Sequence, residues 1–196
     1  MLDRSAIDFT PGLYQNDIYP DCTVVSIANM ASARAAVNGY ALYVDPTEVI
    51  DFFLAAAGDP SDPTKIDGLV YLDVINRQAA KGFFTGHDTL FGLPGTVGLT
   101  VPEIAAATNT LGSAGLGVVL FERDMDTFES GIWDVGTNDG AMVGRHALIT
   151  WDYTGLKDTD LVRLGTWGTW KHATWRWVKA RIDEAHGTRW PQLEKA

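Results

Sequence analysis

One segment constrains this chain more than any other. Residues 22–37 read Cys-Thr-Val-Val-Ser-Ile-Ala-Asn-Met-Ala-Ser-Ala-Arg-Ala-Ala-Val, sixteen positions without a proline or glycine. Asp21 stands where an N-cap belongs and Asn38-Gly39 where a helix stops. Val24, Val25, Ile27, Ala28, Met30, Ala31 and Ala35 leave no clean polar stripe on that helix. A helix apolar nearly all round must be enclosed. The rest of the fold therefore has to wrap around residues 22–37. With 196 residues, 46% of them hydrophobic, the chain can supply one domain with a sizeable core.

The surrounding segments divide by period. Residues 1–21 carry Pro11-Gly12 and Pro20-Asp21 and no helical repeat, so they predict an extended segment. A second helix is expected over about Pro46–Ala57, with Asp45 as N-cap and Pro46 in the first turn. A third spans about Leu69–Lys81 and closes at Gly82, and a fourth spans about Val101–Leu111. The glycine-rich stretch 83–100 reads as a connection or as short strands. From there the pattern turns to strands, at Leu116–Phe121, Met142–Trp151 and Leu161–Trp167, the last two joined through Thr154–Asp158 as a hairpin. Residues 174–185 fit a final helix or a strand running into one. Helices first and antiparallel strands second predict an α+β fold. The expectation is one domain over 1–196, mainly helical to about 112 and mainly β from about 113.

Charge and cysteine content narrow the function. Fifteen basic residues against twenty-five acidic ones give a net charge of −10. Nucleic-acid backbones and anionic lipids both demand clustered cations, so neither is an expected partner. The single cysteine, Cys22, excludes an internal disulfide and a multi-cysteine zinc site. His87, His172 and His186 have no ligand spacing among themselves. Asp59, Asp62 and Asp67 share a proline-broken loop that lacks the alternation of a calcium loop. Gly92–Gly98 lacks the Lys-Ser/Thr ending of a phosphate loop and reads as turns. No cofactor or metal is expected. The N-terminal residues have no basic stretch followed by an apolar one, so no signal peptide is expected, and no apolar run reaches membrane-spanning length.

Cys22 opens the enclosed helix. Unpaired N–H groups and the helix dipole there favour a thiolate, the nucleophilic form of cysteine, although Asp21 opposes it. His146, in Gly144-Arg145-His146-Ala147-Leu148-Ile149, can serve as its base if the fold brings the two together. Gln15 and Asn16, seven and six residues before Cys22, are the candidate amide donors for an oxyanion. The plainer alternatives are an inert buried thiol and a core histidine bonded to backbone. Five of the seven tryptophans lie between Trp167 and Trp190, as core packing or as a contact surface.

Four ordered segments resemble the papain-like cysteine peptidase superfamily. Tyr14–Thr23 resembles the stretch from oxyanion glutamine to nucleophile, and Phe128–Trp133 the aromatic-Gly-Ile segment preceding the catalytic histidine. Gly144–Tyr153 resembles the histidine strand, and Val162–Trp170 the strand ending in Asn-Ser-Trp-Gly. The resemblance implies Cys22 as nucleophile, His146 as base, Gln15 as oxyanion donor and Trp167 as the shield over the imidazole. Asn16, Asp21 and Gly144 would line the cleft with Trp167. Two departures stand out. Gly165 occupies the place of the orienting asparagine, leaving Thr166 as the nearest hydroxyl and Asp152, Asp158 and Asp160 as nearby carboxylates. The spacing from Gln15 to Cys22 is one residue longer than in the family. The segments 167–170, 173–178 and 182–186 further resemble the ends of papain-fold proteins of tailed phages and prophages. That likeness implies a structural or adaptor role with a degenerate site, in a virion or the host cytoplasm and among virion partners. The alternative is an active peptidase or amidase on peptide or peptidoglycan amides.

Overall fold

The computed structural model describes residues 1–84 and 89–194. His87, considered above as a ligand, lies outside the described residues. In chain order the elements are α1 (Cys22–Val37), α2 (Pro46–Ala56), α3 (Tyr71–Lys81), β1 (Phe83–Phe84), β2 (Thr89–Leu90), β3 (Leu93–Thr96), α4 (Val101–Leu111), β4 (Gly115–Phe121), α5 (Glu122–Asp126), β5 (Met142–Tyr153), β6 (Leu161–Thr166), β7 (Thr169–Thr174), α6 (Trp175–Arg181) and β8 (Ile182–Arg189). Helices pack on a six-stranded antiparallel sheet of order β3-β8-β4-β5-β6-β7, so the fold is α+β as the periodicity predicts.

The enclosed helix is where the sequence demands it. Every residue of α1 from Thr23 to Ala33 is buried. Its apolar side chains form one core with α2, α3 and the Ala147, Ile149 and Trp151 side chains of β5. A second core lies around α4, α6 and the alternate residues Leu148, Val162 and Leu164. Period-two alternation along β5 and β6 thus feeds two cores from one sheet.

Local signals account for most boundaries. The Asp45 side chain accepts from the Thr47 N–H at 2.8 Å and Pro46 starts α2. Gly82 ends α3 at φ 74°. The stretch 83–100 takes the short-strand alternative, with β1, β2 and β3, and β3 pairs with β8 in place of turns at Gly92–Gly98. Two further elements depart from the expectation. Residues 174–185 hold a helix followed by a strand, the reverse of the order considered. Strand β7 returns through a two-residue turn, Trp167-Gly168, with both residues at positive φ (42° and 72°). That geometry suits the twist of a hairpin, but its usual sequence signal is Asn-Gly, not Trp-Gly.

The tryptophan-rich end is interior. Trp175, Trp177 and Trp190 are fully buried, and Trp133 stacks on Trp177 with centroids 4.7 Å apart. Their indoles are packing elements, so the contact-surface expectation is corrected for these three.

Candidate active site

Cys22 begins α1 and His146 lies in β5, the strand on which α1 packs. Both line one cleft of about 680 Å³. Its near wall is Cys22, Thr23 and the segment 67–71, and its far wall is Gly117, Val118, 145–147, Asp183 and Glu184. The backbone N–H groups of Ala147, Thr23 and Cys22 favour the charged form of the Cys22 thiol. Among the described residues no hydrogen bond joins the sulfur to the imidazole; such bonds are often long before substrate binds.

The imidazole is held on two sides. Its Nε2 lies 2.7 Å from Thr166 Oγ1. The Trp167 indole stacks on its face at 4.0 Å, nearly parallel. Phe128 packs edge-on against Trp167 at 5.2 Å. The turn bearing Phe128 is in turn fastened by buried Lys171, whose Nζ donates to the carbonyls of Thr127, Phe128 and Gly131. The left-handed conformation of Trp167 is what lays its ring over His146, a local strain located at the site.

The missing orienter is explained by strand alternation. A Cβ on Gly165 would lie 2.9 Å from Ile149 Cγ1 and 3.2 Å from Pro11 Cβ, within the core beneath α1. Thr166, on the opposite face, is the residue that reaches the ring. The carboxylates considered as alternatives are engaged elsewhere: Asp152 with Arg163, Asp158 with Lys179 and Asp160 with the Lys157 N–H.

The amide side is arranged differently. Gln15 is exposed in a left-handed turn (φ 66°) and does not line the cleft. Asn16 spends its amide on Asp21 Oδ1 (2.8 Å) and the Tyr19 carbonyl (3.2 Å). Asp21 is wholly buried, with Oδ2 unpartnered, and makes no side-chain cap on α1. Gly144 also falls outside the cleft lining. Asn16, Asp21 and Gly144, expected to line the cleft, do not: Asn16 and Asp21 turn their side chains to each other, and Gly144 lies on β5 just before the stretch 145–147 that does line it. The walls that do line it, Asp67-Gly68 and the acidic pair Asp183-Glu184, escaped the sequence reading. The cue was Gly117, a glycine inside an apolar strand, which marks a close approach.

Burial sets the electrostatics. It pushes the Cys22 thiol up to about 11, with Asp21 adding to the rise, and pushes His146 down to about 3. Burial also lifts Asp21 to about 7. The expected thiolate is therefore corrected. Desolvation of a sulfur packed on β5 outweighs the helix-end N–H groups, and at neutral pH the resting pair is thiol and neutral imidazole.

No family model and no curated protein sequence matches the chain. Solved structures share its architecture, among them two proteases. Digestive procathepsin L 3 of the Tenebrio molitor larval midgut superposes with a TM-score of 0.58 at 11% identity, over 87% of this chain and 64% of that one. Xylellain, a cysteine protease from Xylella fastidiosa, gives a TM-score of 0.66 at 10% identity, over 96% and 90%. The chain thus spans about 64% of the procathepsin chain's length. At this identity the likeness establishes the papain-like fold. Neither structure is a phage protein.

Proposed function

We propose that the cleft is the active site of a cysteine peptidase or amidase whose resting state is uncharged. The observation that carries this reading is the shared cleft of Cys22 and His146, with the far imidazole nitrogen bonded to Thr166. With Nε2–H donating to Thr166 Oγ1, Nδ1 is the free base. Cys22 Sγ attacks the amide carbonyl as its proton passes to Nδ1. The carbonyl electrons move to oxygen, for which the Cys22 and Thr23 N–H groups, without acceptors inside α1, are the nearest backbone donors. Collapse of the adduct expels the amine, which takes the proton from His146. Water then adds to the thioester, His146 again accepting a proton, and the acid leaves with the thiol restored.

Both shifted groups oppose charge separation before substrate arrives. The proton transfer must accompany attack rather than precede it. The test is hydrolysis of an internally quenched peptide panel, with capture of Cys22 by a peptide aldehyde. Activity lost in both Cys22→Ala and His146→Ala supports the reading. Cleavage that survives Cys22→Ala, or neither cleavage nor capture by the native protein, overturns it.

The same neutral pair and the occupied Asn16 amide favour a second reading, a scaffold that binds in this cleft without turnover. Its placement in a virion rests on the C-terminal sequence likeness alone. Absence of the chain from purified particles would remove that address.

A further inference from the structure

The N-terminal segment touches both the β6–β7 hairpin and α1 over residues 9–13. Alternate residues of an extended chain face one side, and three of them meet the hairpin. Phe9 packs edge-on against Trp170 with centroids 5.5 Å apart. Pro11 lies against Gly165, where an added Cβ would stand 3.2 Å from the proline Cβ. Leu13 lies against Gly168, where an added Cβ would stand 2.9 Å from Leu13 Cβ and 3.4 Å from its Cα. The two backbones therefore approach closely at Leu13 and Gly168.

Gly12, between Pro11 and Leu13, is tied to α1. Its N–H donates to Asn29 Oδ1 at 2.7 Å, and Asn29 Nδ2 donates back to the Gly12 carbonyl at 3.0 Å. Among the described residues, this amide supplies the hydrogen bonds that join the backbone of 8–12 to the rest of the molecule. Asn29 is 3% exposed and follows Cys22 by seven residues, two helical turns, so it lies on the same face of α1. A buried amide in an enclosed apolar helix is costly unless its bonds are made, and these bonds are spent on one glycine.

The turn beneath Leu13 is the one that carries the indole over His146. Trp167 and Gly168 are both left-handed there. A left-handed tryptophan persists only where its surroundings over-determine it. Leu13 is part of those surroundings, and its neighbour Gly12 is the residue that Asn29 clamps.

We infer that Asn29 is a positioning residue for the imidazole: its two-way bond to Gly12 seats the N-terminal segment on the hairpin turn and so keeps the Trp167 indole on His146. Its effect on turnover rests on the peptidase reading, whereas the coupling from Asn29 to His146 stands on the packing alone.

The experiment compares two buried amides. Gln78, on α3, makes the same kind of two-way bond, accepting from the Gly92 N–H at 3.1 Å and donating to the Leu90 carbonyl at 3.0 Å. It holds residues 90–92 rather than the N-terminal segment. Asn29→Leu and Gln78→Leu thus each remove two bonds at similar volume. The measured quantity is the rate at which diethyl pyrocarbonate modifies His146 in the native protein, located by peptide mass. Asn29→Leu is expected to raise it about tenfold, as loss of about one net hydrogen bond of restraint implies. Leu13→Gly, at a position 36% exposed, is expected to raise it by less, about threefold. Gln78→Leu is expected to leave it within about twofold. A rate unchanged in either of the first two variants, or raised as much in Gln78→Leu, overturns the coupling. Should Asn29→Leu fail to fold, Leu13→Gly against Gln78→Leu decides. Where quenched peptides are cleaved, Asn29→Leu is expected to lower kcat about tenfold with KM within about twofold; an unchanged kcat overturns the positioning role. If no peptide is cleaved while His146 reactivity still separates Asn29→Leu from Gln78→Leu, the peptidase reading fails and the coupling stands.

Discussion

The two sides of the cleft are built to different standards. On the imidazole side, each group is held by another: Thr166 on Nε2, Trp167 on the ring, Phe128 on Trp167 and Lys171 on the turn that carries Phe128. On the amide side, the groups that could meet an oxyanion are turned away. Asn16 is committed to Asp21, Asp21 is interred, and Gln15 faces solvent. The difference shows that packing can hold an imidazole in position while the donors beside the sulfur are reduced to backbone N–H groups. Orientation of a ring is secured by packing, which the fold supplies. Stabilisation of developing charge needs donors aimed at empty space, which only the site itself can supply.

The strongest way to break the contrast is to release the imidazole side. Lys171→Met leaves three carbonyls, those of Thr127, Phe128 and Gly131, without their charged donor. We expect a loss of about 2–3 kcal/mol by denaturant titration, since hydrogen bonds from a charged donor contribute about 1.5–3 kcal/mol and Lys171 is the buried donor to all three. The loosened Phe128–Trp167 pair should also raise the rate at which a histidine-directed reagent modifies His146. Retained stability would show that the turn needs no cation.

Asp21 offers the sharpest test of the amide side. Its folded value of about 7 lies above the ordinary 3.8, so between these the folded protein keeps a proton that the unfolded chain has lost. Stability contributed this way falls as pH rises from about 4 to 7. His146 acts oppositely. Neutral when folded but protonated when unfolded, it makes stability rise with pH from about 3 to its ordinary 6.5. The two contributions offset over the shared window, and their sum is a nearly flat profile. Asp21→Asn removes the falling arm. The variant is expected to gain about 2 kcal/mol at pH 8 and to show a melting temperature that climbs between pH 4 and 6.5. Removing that charge should also speed alkylation of Cys22. Parallel melting profiles for the two proteins would refute the assignment.

A smaller effect separates orientation from packing. Thr166→Val keeps the volume and leaves Nε2 of a buried ring without a partner. About 1–2 kcal/mol of stability should be lost. If turnover is present, kcat should fall with KM nearly unchanged, and Thr166→Ser should restore most of it. Rescue by serine distinguishes a positioning hydroxyl from a space-filling one.

How much of this the chain displayed beforehand follows from the same contrast. Helix α1 was legible because its apolar residues go all the way round, Cys22 because it opens that helix, and His146 because it directly precedes the apolar run Ala147-Leu148-Ile149. Thr166 was legible only as a neighbour of Gly165. Which of the two meets the ring depends on strand alternation, and one step of register reverses the answer. The sulfur's high pKa was hidden altogether, since its desolvation is set by the packing of α1 on β5, more than a hundred residues apart in sequence. The acidic pair was hidden for a different reason. A bulge inserts one residue and cancels the alternation that would have placed Asp183 and Glu184 on opposite faces.

The smallest expected effect is the most discriminating for the family resemblance. Gln15 stands seven residues before Cys22, where the resemblance implies the oxyanion donor, yet its side chain lies in solvent on a left-handed turn. Gln15→Ala should change stability by less than about 0.5 kcal/mol, as exposed substitutions do. It should leave the rate of peptide-aldehyde capture at Cys22 within about twofold. Removing a working oxyanion donor costs about 100-fold or more in rate, so the two outcomes cannot be confused. A large loss would mean that the turn of residues 14–16 swings inward when a carbonyl binds, bringing the amide side up to the standard of the imidazole side. A negligible one leaves the oxyanion to the Cys22 and Thr23 N–H groups, and makes the unequal construction of the cleft a property of the working site as well as of the resting one.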